Sequence, residues 1–238
     1  MNILIINQPP FNRGDESAHK GLIRTLLKRF PDTKIKVMHE ACLSESYRQY
    51  AVRDNRVEYF SEVEGCIKFP RFRNYDVFTN HTWLWKWHPT YRRMERIYKW
   101  ADVVVCAPGG ICMGGFQDWN HLYHLRLAQL FKRPLAYYGR SFGPFPTETE
   151  RNRQFKKISL DMLHYFGYLS IRDHKTELLA DELNIPYIST IDSAFLDSPK
   201  VEIPYELKSV VGDKPYMVFV PNYLLWHYAY KGRISHET

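Results

Sequence analysis

Residues 102–119, DVVVCAPGGICMGGFQDW, constrain this chain most. Val103, Val104 and Val105 form a β-branched apolar run entered from a charge, the pattern of a buried strand in a parallel sheet. The run empties into Ala107-Pro108-Gly109-Gly110, a second pair follows at Gly114-Gly115, and an amphipathic stretch begins at Asp118. Strand, glycine loop and helix in that order is how open α/β sheets bind ligands beyond the carboxyl ends of their strands. Glycine there tolerates positive φ and lets a ligand come close to the backbone, and a helix N-terminus beside it favours an anion. A glycine pair alone reads equally as a tight turn. Other loops aimed at the same edge decide between the two.

Such loops recur along the chain. Ile3–Ile6 reads as a first buried strand, followed by a loop over 7–15 and a helix carrying Ala18, Leu22, Ile23, Leu26, Leu27 and Phe30 at helical spacing. Asp15 or Ser17 can cap that helix. Lys34–His39 alternates as a second strand, so the chain opens β-α-β. Residues 42–82 offer short strands at Val57–Phe60 and Val77–Thr79. Trp83, Trp85 and Trp87 then precede Pro89, which opens a helix with Tyr91, Met94, Ile97 and Tyr98 on one face. The tryptophans read first as packing filler, with a sugar-stacking platform and a membrane-interface patch as alternatives. Leu122–Phe131 gives another helix, on which His121 and His124 read as surface residues. Strands at Leu135–Tyr138, Tyr168–Ile171 and Pro186–Thr190 alternate with helices at about 148–166 and through Leu178–Leu183. The fold expected is therefore α/β, a doubly wound, mostly parallel Rossmann-like sheet. Its loops at 12–16, 109–115, 140–144, 172–174 and 192 should meet at one edge.

The organisation expected is a Rossmann-like domain over 1–196, a Pro-rich linker over 197–215, and the start of an incomplete second domain over 216–238, where Tyr216–Val220 reads as a strand. A tail packed on the first domain is the other reading.

Composition excludes several classes of function. Of 238 residues 45% are hydrophobic and 25% charged, ordinary for a globular protein with a full core. The net charge of +7 suits phosphates, anionic lipid or acidic substrates, yet Lys and Arg are dispersed and no nucleic-acid motif is present. The four cysteines, at 42, 66, 106 and 112, form no CxxC pair, which argues against zinc and fits a reducing cytoplasm. The N-terminus lacks a signal peptide's basic region, and no stretch is apolar enough to span a bilayer.

Five stretches together resemble the polysaccharide pyruvyl transferase family: NRGDE at 12–16, APGGICMGG at 107–115, YYGRSFGPF at 137–145, LSIRDHKTELL at 169–179, and the corner Asp192-Ser193-Ala194. The resemblance covers residues 1 to about 196. It implies a two-domain fold similar to GT-B glycosyltransferases, of which this chain supplies the N-terminal half. It also implies transfer of a pyruvyl ketal from phosphoenolpyruvate to a sugar of a cell-surface glycan. Members usually continue into a full second domain, and this sequence is expected to stop where that domain begins.

That reaction needs cations or N–H donors for a carboxylate and a phosphate, and acids and bases for the enol carbon and the sugar hydroxyls. It needs neither a redox cofactor nor a metal. Arg172 is the first candidate for the anion, against a surface arginine paired with Asp173. Arg140 is the second, against a loop-stabilising role. His174 could move a proton near neutral pH, or cap its helix. Asp15 is a catalytic candidate, an acceptor contact or a cap. Asn12, Arg13 and Gly14 join Gly109, Gly110 and Asp118 as substrate-binding candidates, with helix capping the alternative for Asp118. Asp192 reads as holding its corner together. The acceptor expected is a lipid-linked saccharide reached from the cytoplasm, with peripheral contact at the anionic inner-membrane face. A nucleotide-sugar glycosyltransferase on the same fold is one competing reading, disfavoured by the lack of an acidic ribose-binding signature after a strand. A non-catalytic saccharide-binding fragment is another. The sequence carries no signal of oligomeric state.

Overall fold

The computed structural model describes residues 1–8, 13–39, 51–61, 87, 89–110, 112–197, 204–212, 215 and 217. It contains two compact units, Met1–Asp197 and Ser198–Thr238.

In the first unit, seven strands form one sheet in the order β3-β2-β1-β4-β5-β6-β7, with every neighbouring pair parallel. They are β1 (Asn2–Gln8), β2 (Lys34–His39), β3 (Val57–Ser61), β4 (Val103–Cys106), β5 (Leu135–Tyr137), β6 (Tyr168–Ile171) and β7 (Ile188–Ser189). The helices between them are α1 (Arg13–Arg29), α2 (Pro89–Trp100), α3 (Trp119–Leu130), α4 (Glu150–Tyr165) and α5 (His174–Glu182). The α/β doubly wound expectation therefore stands. Val77–Thr79 and the strand read at 216–220 lie outside the described residues, apart from the isolated Met217.

The period-two alternation of β1 sorts its side chains between two cores. Ile3 and Ile5 pack with Leu22, Ile23 and Leu27 of α1, whereas Leu4 and Ile6 pack with Met94 and Tyr98 of α2 and Leu122 and Leu125 of α3. Both faces are covered, which is why the strands read as unbroken apolar runs. The strand order reverses direction between β1 and β4, whose register pairs Ile3 with Val103 and Ile6 with Cys106. The crevice at their carboxyl ends is the topological switch point, where this architecture holds ligands.

One chain path departs from simple winding. β7 is the far edge strand, four strands from β1, or about 19 Å at ordinary strand spacing. Beyond it the backbone returns: the carbonyl of Ile191 passes Gly139, and a 3-10 turn at Ser193–Leu196 lands on α1. There the Ser193 hydroxyl donates to the Ala18 carbonyl at 2.7 Å, and Arg24 pairs with Asp197. A Cβ at Gly21 would stand 2.0 Å from the Ser193 carbonyl oxygen, so only glycine admits this contact. The return carries Asp192 back to the switch point.

Of the second unit, helix α6 (Tyr205–Val211) is described, with no buried residue. It falls within the stretch read as a linker. Among the described residues no helix is long and apolar enough to cross a membrane.

Candidate active site

Four strand ends and one helix start supply the groups that converge. The loop after β4 is set by Gly109, whose φ of 156° and tight surroundings require glycine: a Cβ there would lie 2.9 Å from Asp15 Oδ1 and 3.5 Å from Arg140 Nη1. Gly110 is different. It is exposed, and a Cβ there would meet nothing within 4 Å. Gly109 is thus packed from behind by charged side chains, while Gly110 faces open space.

A second glycine contact locks the neighbouring loops. Gly114 bridges Gly143, and the Gly143 N–H donates to the Met113 carbonyl at 2.6 Å. A Cβ on Gly114 would fall 2.5 Å from the Gly143 backbone. The loops after β4 and β5 are therefore one rigid unit.

Arg140 holds that unit from inside. It is fully buried, an unusual place for an arginine. Its guanidinium donates to the carbonyls of Ala107 and of Gly110, the latter at 3.0 Å. It also approaches the thiols of Cys106 at 3.8 Å and Cys112 at 3.3 Å, and stands 5.6 Å from the Tyr137 ring centroid. Burying a cation is costly unless its donors are met. Here carbonyls and thiols meet them from one side, leaving Nε without a hydrogen-bond partner. The positive charge is retained and lies next to Asp15.

Asp15 sits in the first turn of α1. The expectation that it caps this helix is corrected: the helix already begins at Arg13, so Asp15 is inside it and its carboxyl reaches Gly109. Burial raises its pKa, Arg140 and Arg172 pull it down, and Asp192 pushes it up again. The net direction is upward, so this carboxyl takes a proton more readily than an exposed one.

Arg172, at the end of β6, makes its ion pair with Asp192. The alternative of a pair with Asp173 gives way to this geometry. Asp173 instead caps α5, accepting from the Thr176 N–H at 2.9 Å and from the Ser141 hydroxyl at 2.5 Å. Both partners of the Arg172–Asp192 pair keep part of their surface in solvent, 23% and 28% of their side chains. The arginine is held but not sealed, and an incoming anion can compete for it. Asp192 also accepts from the Ala194 N–H at 2.9 Å, which supports the corner-holding role read from the sequence.

The remaining candidates lie further out. His174 is the first residue of α5 and 79% exposed, with Nδ1 3.6 Å from Glu177 Oε2. Asp118 caps α3, its Oδ1 accepting from the N–H groups of Asn120 at 2.9 Å and His121 at 3.1 Å. Gly14 lies in the first turn of α1, Arg13 contributes its helical backbone, and Asn12 is outside the described residues.

Sequence reasoning missed the polar layer behind the loops. His121 and His124 are fully buried, not surface residues. His121 Nε2 lies 3.8 Å from the Cys106 thiol, and His124 Nδ1 lies 3.2 Å from the Tyr98 hydroxyl. Burial, and then Arg140, hold the His121 pKa well below the usual imidazole range, so it is neutral. Asn7 links strand to helix: its Nδ2 donates to the His121 carbonyl at 3.1 Å and approaches Cys106 Sγ at 3.6 Å. The signal in the sequence was Cys106 itself, a thiol at the end of an apolar strand beside a glycine loop. Among the described residues, no group of three or more His, Cys, Asp or Glu side chains is gathered as a metal site.

A parallel α/β sheet with two interlocked glycine loops, two arginines and two carboxylates gathered at the carboxyl ends of its strands defines a domain of the Rossmann-like class. A sequence model of the family described as polysaccharide pyruvyl transferase matches residues 12–234, and the chain belongs to that family. No curated protein matches it closely enough to count as a relative. Among solved structures it is similar to "Structure of Phytolacca americana UGT2 complexed with UDP-2fluoro-glucose and pterostilbene", with a TM-score of 0.48 and 6% identity over 90% of this chain. It spans 57% of the length of that chain.

Proposed function

We propose that this protein contributes to transfer of a pyruvyl group from phosphoenolpyruvate to a saccharide, as a cyclic ketal, with Arg172 and Asp15 as the groups nearest the chemistry. The observation that carries the reading is the meeting of Asp15, Arg140, Arg172 and Asp192 beside the Gly109 loop, in a chain of this family.

The donor is an anion with a carboxylate and a phosphate. Arg172 offers a planar fork to either group once it leaves Asp192. Arg140 adds positive potential from within without giving up its carbonyls. C3 of the enol is protonated, which makes C2 electrophilic. A sugar hydroxyl adds to C2 and loses its proton, the C2–O bond to phosphate breaks, and a second hydroxyl of the same sugar adds and loses its proton to close the ketal. One proton is consumed at C3, two are released from the hydroxyls, and one leaves with the phosphate. Asp15, with its raised pKa, suits the exchange of those protons. His174 at the rim could pass a proton to solvent. The exposed backbone of Gly110 gives the sugar a surface to approach. No step requires a redox cofactor or a metal. The acceptor we favour is a lipid-linked saccharide.

The test is phosphate release from phosphoenolpyruvate by the full-length protein, with and without saccharide acceptor. Release that depends on acceptor, and a Michaelis constant for phosphoenolpyruvate at least 10-fold higher in Arg172→Gln, are expected for loss of a charge-assisted contact. No release with authentic acceptor overturns the reading. Turnover of a nucleotide sugar in its place would assign a different donor.

A further inference from the structure

Two hollows lined by described residues lie along α2, away from the cleft. One, of about 310 Å³, is bordered by Lys36, Glu58, Arg93 and Arg96. The other, of about 510 Å³, is bordered by Trp87, Pro89, Arg92, Glu95 and Arg96. They flank the outward side of the helix. Tyr91, Met94 and Tyr98 turn inward and are buried, while Arg92, Arg96 and Lys99 recur at i, i+4 and i+7 and are exposed. The helix carries four cations and one carboxylate, Glu95, whose partner is Lys99 at 2.7 Å. That pair is solvent-exposed, of the kind worth little and readily exchanged. Just before the helix, Trp87 is 77% exposed. Of the three tryptophans read as packing filler, Trp87 departs from that reading, while Trp83 and Trp85 lie outside the described residues.

We propose that the outward face of α2, with Trp87 at its leading end, docks this protein on an anionic lipid surface. Arg92, Arg96 and Lys99 meet lipid phosphates, and Trp87 sits at headgroup depth. The chemistry is complementary at both levels. Basic side chains near a negative leaflet each add to affinity, and an indole combines an apolar body with a polar N–H, the combination favoured at a membrane interface. Trp87 and a cationic stripe on one face is an amphipathic surface that lies on a bilayer without crossing it.

The placement suits the acceptor. α2 leads directly into β4, so its C-terminal end is at the amino edge of the sheet and its N-terminal end at the carboxyl edge. Trp87 and Arg92 therefore lie on the same edge as Gly110 and Arg172. A saccharide carried on a membrane lipid would be presented to that edge. In this respect the inference rests on the lipid-linked acceptor proposed above, although binding to lipid can be measured without it.

The experiment is co-sedimentation of the full chain with vesicles of phosphatidylcholine alone and with roughly one-third phosphatidylglycerol, at low and high salt, without donor or acceptor. Binding to the anionic vesicles is expected, weakening as salt rises. Arg92→Gln with Arg96→Gln should lower affinity about 30-fold, by the usual contribution of two surface cations. Trp87→Ala should weaken it independently and leave the salt dependence in place. Phosphate release with a water-soluble acceptor should be unchanged in these variants. Absence of binding to anionic vesicles, binding unaltered in the variants, or capture by heparin or RNA with none by vesicles would each overturn the docking surface. Vesicle binding that responds to the variants, in a protein that never turns over phosphoenolpyruvate, would leave the surface standing and remove the proposed function.

Discussion

Adjacent glycines 109 and 110 have opposite surroundings, and that difference separates fold from function at single-residue resolution. Gly109 is pressed against Asp15 and Arg140, so Gly109→Ala must displace charged side chains and adopt an unfavourable φ. The variant is expected to lose about 1–3 kcal/mol, read as a lower urea midpoint at constant slope. Gly110→Ala has space for its methyl group, and its melting temperature should stay close to that of the parent. If substrate lies against this face, Gly110→Ala will nonetheless depress acceptor-dependent phosphate release several-fold. Equal stability with undiminished turnover would place the substrate elsewhere. Arg140 shows the limit of reading single residues from sequence. An arginine in a polar-looking loop is most often exposed, and its burial here depends on carbonyls some thirty positions earlier, at Ala107 and Gly110. Asp15 was legible as a helix-start residue, but its outlook was not, because the helix begins two residues sooner.

At the scale of elements, the unbroken apolar strands were the readable part. Ile3–Ile6 and Val104–Cys106 are buried on both faces, and their strands pair in register at the centre of the sheet. Helix α3 was harder. It is buried nearly all round, with His121, Leu122, Tyr123, His124 and Leu125 enclosed in succession, so it lacks the polar face that normally tells which histidines are outside. The return from β7 to α1 left no periodic trace, because it is built from a turn, a serine and one glycine. Its contribution can be measured. Gly21→Ala would force a methyl group into the Ser193 carbonyl, pushing the turn off the helix and moving Asp192 away from Arg172. A loss of about 2–4 kcal/mol in stability is expected. Asp192→Asn tests the same connection without a steric clash. With its competing carboxylate gone, Arg172 should bind phosphoenolpyruvate more tightly, seen as a lower Michaelis constant, while the less firmly held corner lowers kcat.

The whole molecule should respond to acid through two histidines to which the proposed chemistry assigns no role. His19 of α1 and His39 of β2 are buried around Tyr59, and burial lowers their pKa values to about 3 and about 4. In the unfolded chain both titrate near 6.5. Between those limits the unfolded state binds more protons than the folded one, so stability rises with pH across this window. It should be level above about pH 7 and fall by a few kcal/mol toward pH 4, measured as urea midpoints at successive pH values. His19→Phe removes one of the two groups and should flatten the slope. An unchanged slope would show that other groups carry it.

The hydroxyl of Ser193 and the carbonyl of Ala18 touch although 175 residues separate them. A ribosome delivers the first helix well before the turn that seats on it, at about 5–20 residues per second. Until residue 197 has cleared the exit tunnel, the turn beside Asp192 cannot seat on that helix, and Arg172 waits without its counter-charge. The nascent protein can therefore assemble its central strands first and close the crevice only after the return from β7 to α1 has emerged.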